Sequence, residues 1–353
     1  MSRILKVSLI IGICVLLVVT LFIWAIKNAI HETVLDDQYP KGLYNKVTIS
    51  PNEDKVAFSY IRRREGSIYL ADSKGDIKRL TKPKKNYHFI NPKFFDNGQQ
   101  IMYLSSSYNK ELKQAIHTMN IDGSRIKRLT PEEELVTEAV VSHYDNKIYY
   151  IKADEFYAKH PGEAAIPRDY DLYSIEIDGS NKQKMTNFSS LHISDLSISS
   201  DGNKLGMVLS PYDKNEKPIK ANINNSSKEE EYVVYDITTN RFVALPVPFS
   251  GYDATFPTLS PDGNKVAFND DIYSEDEFFE YESSKLSELN IQSKEITVLS
   301  NLPTESIVYA DENTLYFVYD KNKEDDKEDL RLAKIKSDGT GFTEVFSFKE
   351  IMR

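Results

Sequence analysis

A single cysteine, Cys14, stands in 353 residues, and it lies inside an apolar run near the N-terminus. Whatever folds after that run therefore holds no disulfide. For roughly 300 residues this is no handicap, since a chain of that size buries about three-quarters of its unfolded surface. Basic charge is also short. There are 44 Lys and Arg against 54 Asp and Glu, which leaves a net charge of −10 and a pI near 5.3. Duplex nucleic acid is held by cations that neutralise phosphates, so no nucleic-acid partner is expected of an acidic chain. Catalytic signatures are missing too. The sequence has neither a G-x-S-x-G nucleophile elbow nor a glycine-rich phosphate loop after a strand. Carboxylates abound, but no pair is singled out by spacing or by a dry setting. Beyond the apolar run, no segment reads as a helix.

What is present is repetition. Leu259-Ser260-Pro261-Asp262-Gly263-Asn264-Lys265-Val266-Ala267-Phe268 is the clearest copy of one phrase. Pro261 presets a turn, Asp262 bonds the local backbone, and Gly263 accepts the positive φ that closes it. Val266 and Phe268 then alternate with small or polar neighbours, as a half-buried strand requires. Weaker copies start at Ser50, Phe95, Ser142, Ser199 and Ala310. A second phrase, such as Ile116 to Thr130 (IHTMNIDGSRIKRLT), follows each copy at a distance. Each pair of phrases encodes two hairpins, or four short antiparallel strands. A four-stranded unit recurring every 40–60 residues or so reads as a propeller blade. The expected fold is all-β: a six-bladed β-propeller of four-stranded antiparallel blades over residues 44–348, ending in a tail at 349–353.

SPDGNKVAF followed by IDGSRIKRLT resembles the TolB-type, WD40-like propeller repeat of bacterial proteins. The resemblance covers about Tyr44 to Phe348, although blades one, three and six depart from the Asp-Gly turn. It implies a scaffold that binds other proteins, with no chemistry of its own required. Some propellers of this type are lyases that act on uronic-acid sugars through a histidine cluster around a metal. Nothing in this chain matches the separate N-terminal domain of the TolB protein.

The N-terminus fixes a location. Val7 to Ile26 is an uncharged run of twenty residues, long enough at 1.5 Å per residue to cross a bilayer core of about 30 Å. Phe22 and Trp24 suit an interface. Arg3 and Lys6 precede the run, and Glu32, Asp36 and Asp37 follow it, which favours a cytoplasmic tail at 1–6 and an exported domain. The run is longer than a signal-peptide core, and no small-x-small triplet follows it. Ile13 stands before Cys14 where a lipoprotein needs a small residue. The expectation is an uncleaved signal-anchor helix at 7–26, a linker at 27–43, and a single-pass protein of the cell membrane with its propeller on the extracytoplasmic side.

Length variation falls in the loops between the second and third strands of the blades. These span about Lys152 to Asp171, Ser210 to Glu231 and Asn269 to Ser284. Loops freed from pairing are where binding usually resides, so the face that carries them is the expected working surface. Candidate binding residues there are Arg62, Arg63 and Arg64, and Asp270, Asp271, Tyr273, Phe278 and Phe279. Aromatics among acidic residues at a loop tip are explained by something that covers them. Ring closure would bring acidic residues 324–329 beside the Arg62 sector.

Of six histidines (His31, His88, His117, His143, His160 and His192), His88 and His192 fall at corresponding places before inner strands and point to the channel mouth. Two are too few for a metal centre. The stretch Asp320 to Glu324 spaces oxygens as a calcium loop does, but Asp325 stands where the sixth-position glycine belongs. No metal or cofactor is expected. The expected partner is an envelope protein or exported peptide, with a saccharide as the alternative ligand.

Overall fold

The structure is a computed structural model that describes residues 42–62, 65–95, 97–107, 113–157, 166–215, 217, 219, 230–248, 254–273, 281–322 and 328–352. The expected anchor at 7–26 lies outside them. Among the described residues no helix is long and apolar enough to cross a membrane.

Among the described residues the regular structure is all strand except for a four-residue helix, α1 (Lys349–Met352). β1 (Gly42–Ile49), β2 (Lys55–Arg62), β3 (Glu65–Asp72) and β4 (Ile77–Arg79) form the first antiparallel meander. β5 (Tyr87–Phe94), β6 (Gln100–Ser107), β7 (Lys113–Asn120) and β8 (Lys127–Arg128) form the second. The third is β9 (Leu135–Ser142), β10 (Lys147–Tyr157), β11 (Ile166–Glu176) and β12 (Gln183–Lys184). β13 (Ile193–Ile198), β14 (Lys204–Leu209), β15 (Glu231–Asp236) and β16 (Arg241–Pro248) follow. Then come β17 (Ala254–Leu259), β18 (Lys265–Tyr273), β19 (Tyr281–Asn290) and β20 (Ile296–Ser300). Last are β21 (Ser306–Asp311), β22 (Thr314–Asp320), β23 (Leu330–Lys336) and β24 (Thr343–Ser347).

The first strand of each meander is the innermost. β1 lies against β5, β5 against β9, β9 against β13, β13 against β17, β17 against β21, and β21 against β1. Inner strands that touch in a circle are the radial arrangement of a propeller.

The repeated phrases have identifiable work. In the first, a serine hydroxyl closes the turn between the first two strands. Ser260 Oγ accepts the Lys265 amide at 2.9 Å and donates to Asp262 at 2.6 Å. Ser199 does the same for Lys204 and Asp201. Gly263 and Gly202 sit at φ 66° and 68°, and in the first meander Glu53 takes that place at φ 55°. In the second phrase the terminal threonine is buried, and its Oγ1 accepts a backbone amide of the third strand at 3.0 Å. The pairs are Thr81 with Ile68, Thr130 with Ile116, and Thr186 with Leu172. Each hydroxyl satisfies an amide that would otherwise be buried without a partner.

The Asp-Gly turn of the second phrase also locks neighbours together. A Cβ on Gly123 would sit 2.7 Å from the Leu80 carbonyl oxygen of the preceding meander. Gly179 stands likewise against Leu129, and Gly339 against Leu299. Lys78 reaches the Asp122 carbonyl across the same junction at 3.0 Å.

First and last meanders meet by side-chain packing. Val47, Phe58 and Tyr60 share a core with Tyr316, Val318, Leu332 and Phe348. The Phe58 and Phe348 rings meet edge to face at 5.1 Å. Ser306 Oγ accepts the Val47 amide at 3.1 Å, and Tyr316 donates to Glu53.

One expectation needs correction. Lys152 to Asp171 reads as loop, yet β10 and β11 pair from Lys147–Glu176 out to Tyr157–Ile166. Its charges are ladder residues satisfied across the strands, as where Arg168 Nε meets Glu155 at 2.9 Å. Asn269 to Tyr273 and Tyr281 to Ser284 are likewise paired.

Gly123→Ala should lose about 1–3 kcal/mol of stability, because a strained φ of 84° is joined by collision with a backbone carbonyl. Gly75→Ala, at φ 87° with nothing within 4 Å, carries the strain alone and should lose less. Equal losses in thermal unfolding of the two variants would show that the turns do not interlock.

Candidate functional site

The inner strands share a defect. Each breaks register against its neighbour: β1 between Tyr44 and Thr48, β5 between Ile90 and Lys93, β13 between Ser194 and Ser197, β17 between Thr255 and Thr258, and β21 between Tyr309 and Asp311. The β9–β10 pairing shifts opposite Ile151 and Lys152. Asn91, Asp195 and Phe256 occupy equivalent places with φ of 52–55°. A bulge turns side chains that a regular strand would alternate.

The result is a charged layer across four inner strands. Lys46 of β1 contacts Asp195 of β13 at 3.0 Å and Glu138 of β9 at 3.5 Å. Glu138 also accepts the Asp195 and Leu196 amides at 2.8 Å each, which fixes the bulge of β13. Burial works against the charge on Lys46, but Asp195 and Glu138 outweigh it and hold its ammonium above the usual lysine range. Lys93 of β5 belongs to the same layer and has neither a hydrogen bond nor an ion pair among the described residues. Burial, and then the charge of Lys46, push its ammonium down to about 8, with Glu138 opposing.

A cavity of about 330 Å³ lies on the axis. Every inner strand contributes to its wall, with Lys46, Lys93, Val140, Leu196, Thr258 and Tyr309 among the contributors. Pro51, Ser200 and Pro261 also line it, so it opens beside the short turns of the first phrase, on the plain face.

At the other end of the axis stand the two histidines read as site residues. His88 is buried on β5 and bridges Gly66 in the neighbouring meander, and burial lowers its pKa. His192 precedes β13, where its bond to the Glu230 carboxylate at 2.8 Å raises its pKa despite burial. Its ring meets Tyr170 edge on. The described contacts thus give each histidine its own surroundings. Among the described residues no group of three His, Cys, Asp or Glu is arranged to hold a metal.

The remaining sequence candidates fall as follows. Arg62 ends β2 and is exposed, and both it and Glu328 act on the Tyr60 hydroxyl. Asp270 and Asp271 lie within β18. Asp271 is engaged by Ser284, by Asn269 at 2.7 Å and by Thr255 at 3.1 Å. Tyr273 closes β18 opposite Tyr281. Arg63, Arg64, Phe278 and Phe279 lie outside the described residues. Asp320, read as the start of a calcium-like loop, accepts the Asn322 and Asp329 amides.

Two features were not foreseen. One is the charged axial layer. The other is the β10–β11 hairpin, eleven residues per strand, which carries Phe156, Tyr157 and Ile166 at its tip with exposures of 45%, 39% and 61%. Arg168 lies over the Tyr157 ring at 3.7 Å.

No family model and no curated protein matches the chain. Solved structures do. TolB from Acinetobacter baumannii aligns with a TM-score of 0.54 at 14% identity, over 84% of this chain and 62% of that one. The chain thus spans under two thirds of that TolB. An oligogalacturonate lyase in complex with manganese aligns at 0.51 and 12% identity, over 84% and 78% of the two chains. The β-propeller domain of the Trilobed protease from Pyrococcus furiosus, described as having an open velcro topology, aligns at 0.50 and 15%, over 86% and 84%. The fold is a TolB-like β-propeller. Its neighbours include enzymes and non-enzymes, and identities this low carry the fold alone.

Lys46→Met should cost about 3–5 kcal/mol at pH 7, because two part-buried carboxylates lose their cation. Lys46→Arg, which keeps the cation between the two carboxylates, should lose less. Equal losses for the two variants in denaturant melts would assign Lys46 a packing role only.

Proposed function

We propose that this chain is a single-pass membrane protein whose six-bladed propeller stands outside the cytoplasm and binds an envelope protein or exported peptide, without chemistry of its own. Six runs of four strands, with β21 against β1, support the blade count. The uncharged run at 7–26 supports the anchor.

The observation that carries the binding reading is the β10–β11 hairpin. Most second and third strands in the chain have six to ten residues, and these two have eleven. The extra pairs project Phe156, Tyr157 and Ile166 from the long-loop face. Aromatic side chains left in water at the end of a stiff ladder gain their free energy when a partner covers them. The ladder itself is held by the Arg168–Glu155 pair, so little order is lost on docking. A saccharide site near His88 and His192 has no comparable observation in its favour.

A photo-crosslinking residue at position 156 should capture one exported or membrane protein in cells, and Ile166→Ser should abolish that capture. The control is the same residue at 126, where Ile126 is exposed on a short turn of the opposite face. Equal capture of that protein from 126, or capture that survives Ile166→Ser, would remove the hairpin from the binding surface.

A further inference from the structure

The axial cavity has a polarity that the long-hairpin reading does not use. Two lysines from neighbouring inner strands, Lys46 and Lys93, line its wall, and their pairing is unequal. Lys46 takes both carboxylates, Asp195 at 3.0 Å and Glu138 at 3.5 Å. Glu138 is further committed to two backbone amides, and Asp195 Oδ2 accepts from Ser194 at 3.0 Å. Lys93 receives none of this. Its side chain lines the cavity, half-buried, and no hydrogen-bond acceptor reaches it among the described residues.

We propose that Lys93 makes the axial cavity a binding site for a small organic carboxylate. A lysine ammonium has three donors, and a half-buried one beside a second lysine gains from an anionic acceptor. A bound carboxylate supplies both the acceptor and the counter-charge. The ligand is singly charged at this end, because Glu138 and Asp195 lie in the same layer and repel a dianion, whereas one negative charge matches the one uncommitted cation. The rest of the wall mixes Val140, Leu196, Ile307 and Val308 with the hydroxyls of Thr48 and Thr258. About 330 Å³ is the lower end of small-molecule pockets and holds about ten waters, which sets the ligand's size.

The ammonium form binds, so pH sets the affinity. The groups that face Lys93 are Lys46 from β1, which disfavours its charge, and Glu138 from β9, which favours it. With the free amine at about 8, affinity should be flat below pH 7 and fall about tenfold for each unit above 8.

The test is calorimetric titration of the full chain with acetate, propionate and butyrate, with inorganic phosphate as the more highly charged anion. Monocarboxylates should bind at pH 7 and lose at least tenfold by pH 9.5. Lys93→Met should abolish binding, and Lys93→Arg, which keeps the charge, should retain part of it. Trace acetylation read by mass spectrometry adds an independent measure. Lys93 should be modified at pH 8 and protected by propionate, while exposed Lys74 should not be protected. The proposal falls if no carboxylate binds, if Lys93→Met binds as well as the native chain, or if phosphate binds more tightly than every monocarboxylate.

Discussion

Closure of the ring, carried among the described residues by side-chain packing, is the constraint on which the rest of this structure depends. β1 to β4 and β21 to β24 are each built from consecutive chain, and among the described residues no strand is shared between the first meander and the last. The seam is instead apolar burial around Phe58, Tyr316, Leu332 and Phe348, with Ser306 and Glu53 as its polar fastenings. Aromatic pairs of this geometry contribute about 0.5–1.5 kcal/mol beyond the area they bury. Elsewhere the first three meanders are tied by backbone bridges at Gly66–His88 and Gln114–Leu135. Among the described residues the seam has no such bridge, so its strength there lies in packing complementarity. If it opened, six inner strands would no longer converge, and the axial cavity would cease to exist as an enclosed space.

The architecture was legible because its turns are chemical statements. Ser-Pro-Asp-Gly can only close a hairpin, and the buried Thr of Arg-Leu-Thr can only accept an amide nearby, so their alternation writes the strand order. Where the text changed, the structure kept the geometry by other means. Glu53 accepts a left-handed φ in place of glycine because Ser50 still accepts the Lys55 amide. The error at 152–171 has a physical cause. Lys152, Asp154, Glu155 and Arg168 look like solvated loop charges, but Glu155 and Arg168 face each other in register as an ion pair, Lys152 pairs with Asp154 along β10, and the ladder extends through them. Alternation of polar and apolar residues cannot reveal a strand whose both faces are satisfied by charge.

The axial site was illegible for a different reason. Lys46, Lys93, Glu138 and Asp195 are separated by more than forty residues each, and none carries a motif. They meet only because the ring closes and because bulges at Asn91 and Asp195 turn the inner strands. A faint signal exists: Asn91-Pro92 and Asp195 interrupt apolar strands with residues suited to a left-handed φ and a missing amide. The two histidines occupy equivalent positions in the repeat, as the sequence says. His88 and His192 stand two meanders apart, each with its own neighbours.

The two ends of the axis therefore impose different kinds of recognition. On the short-turn face, Asp-Gly turns press against the carbonyls of the preceding meander, and Ser200 and Lys204 bond across to Pro261 and Gly263. Such a rim has no slack, so it can select a small ligand by volume and charge but cannot reshape itself for a large one. On the other face the β10–β11 hairpin extends beyond the frame and can be covered without disturbing it. Coupling between two ligands requires an element whose state both of them bias. The interlocked rim is not bistable. The packed seam joins the inner strand that carries Lys46 to the last meander.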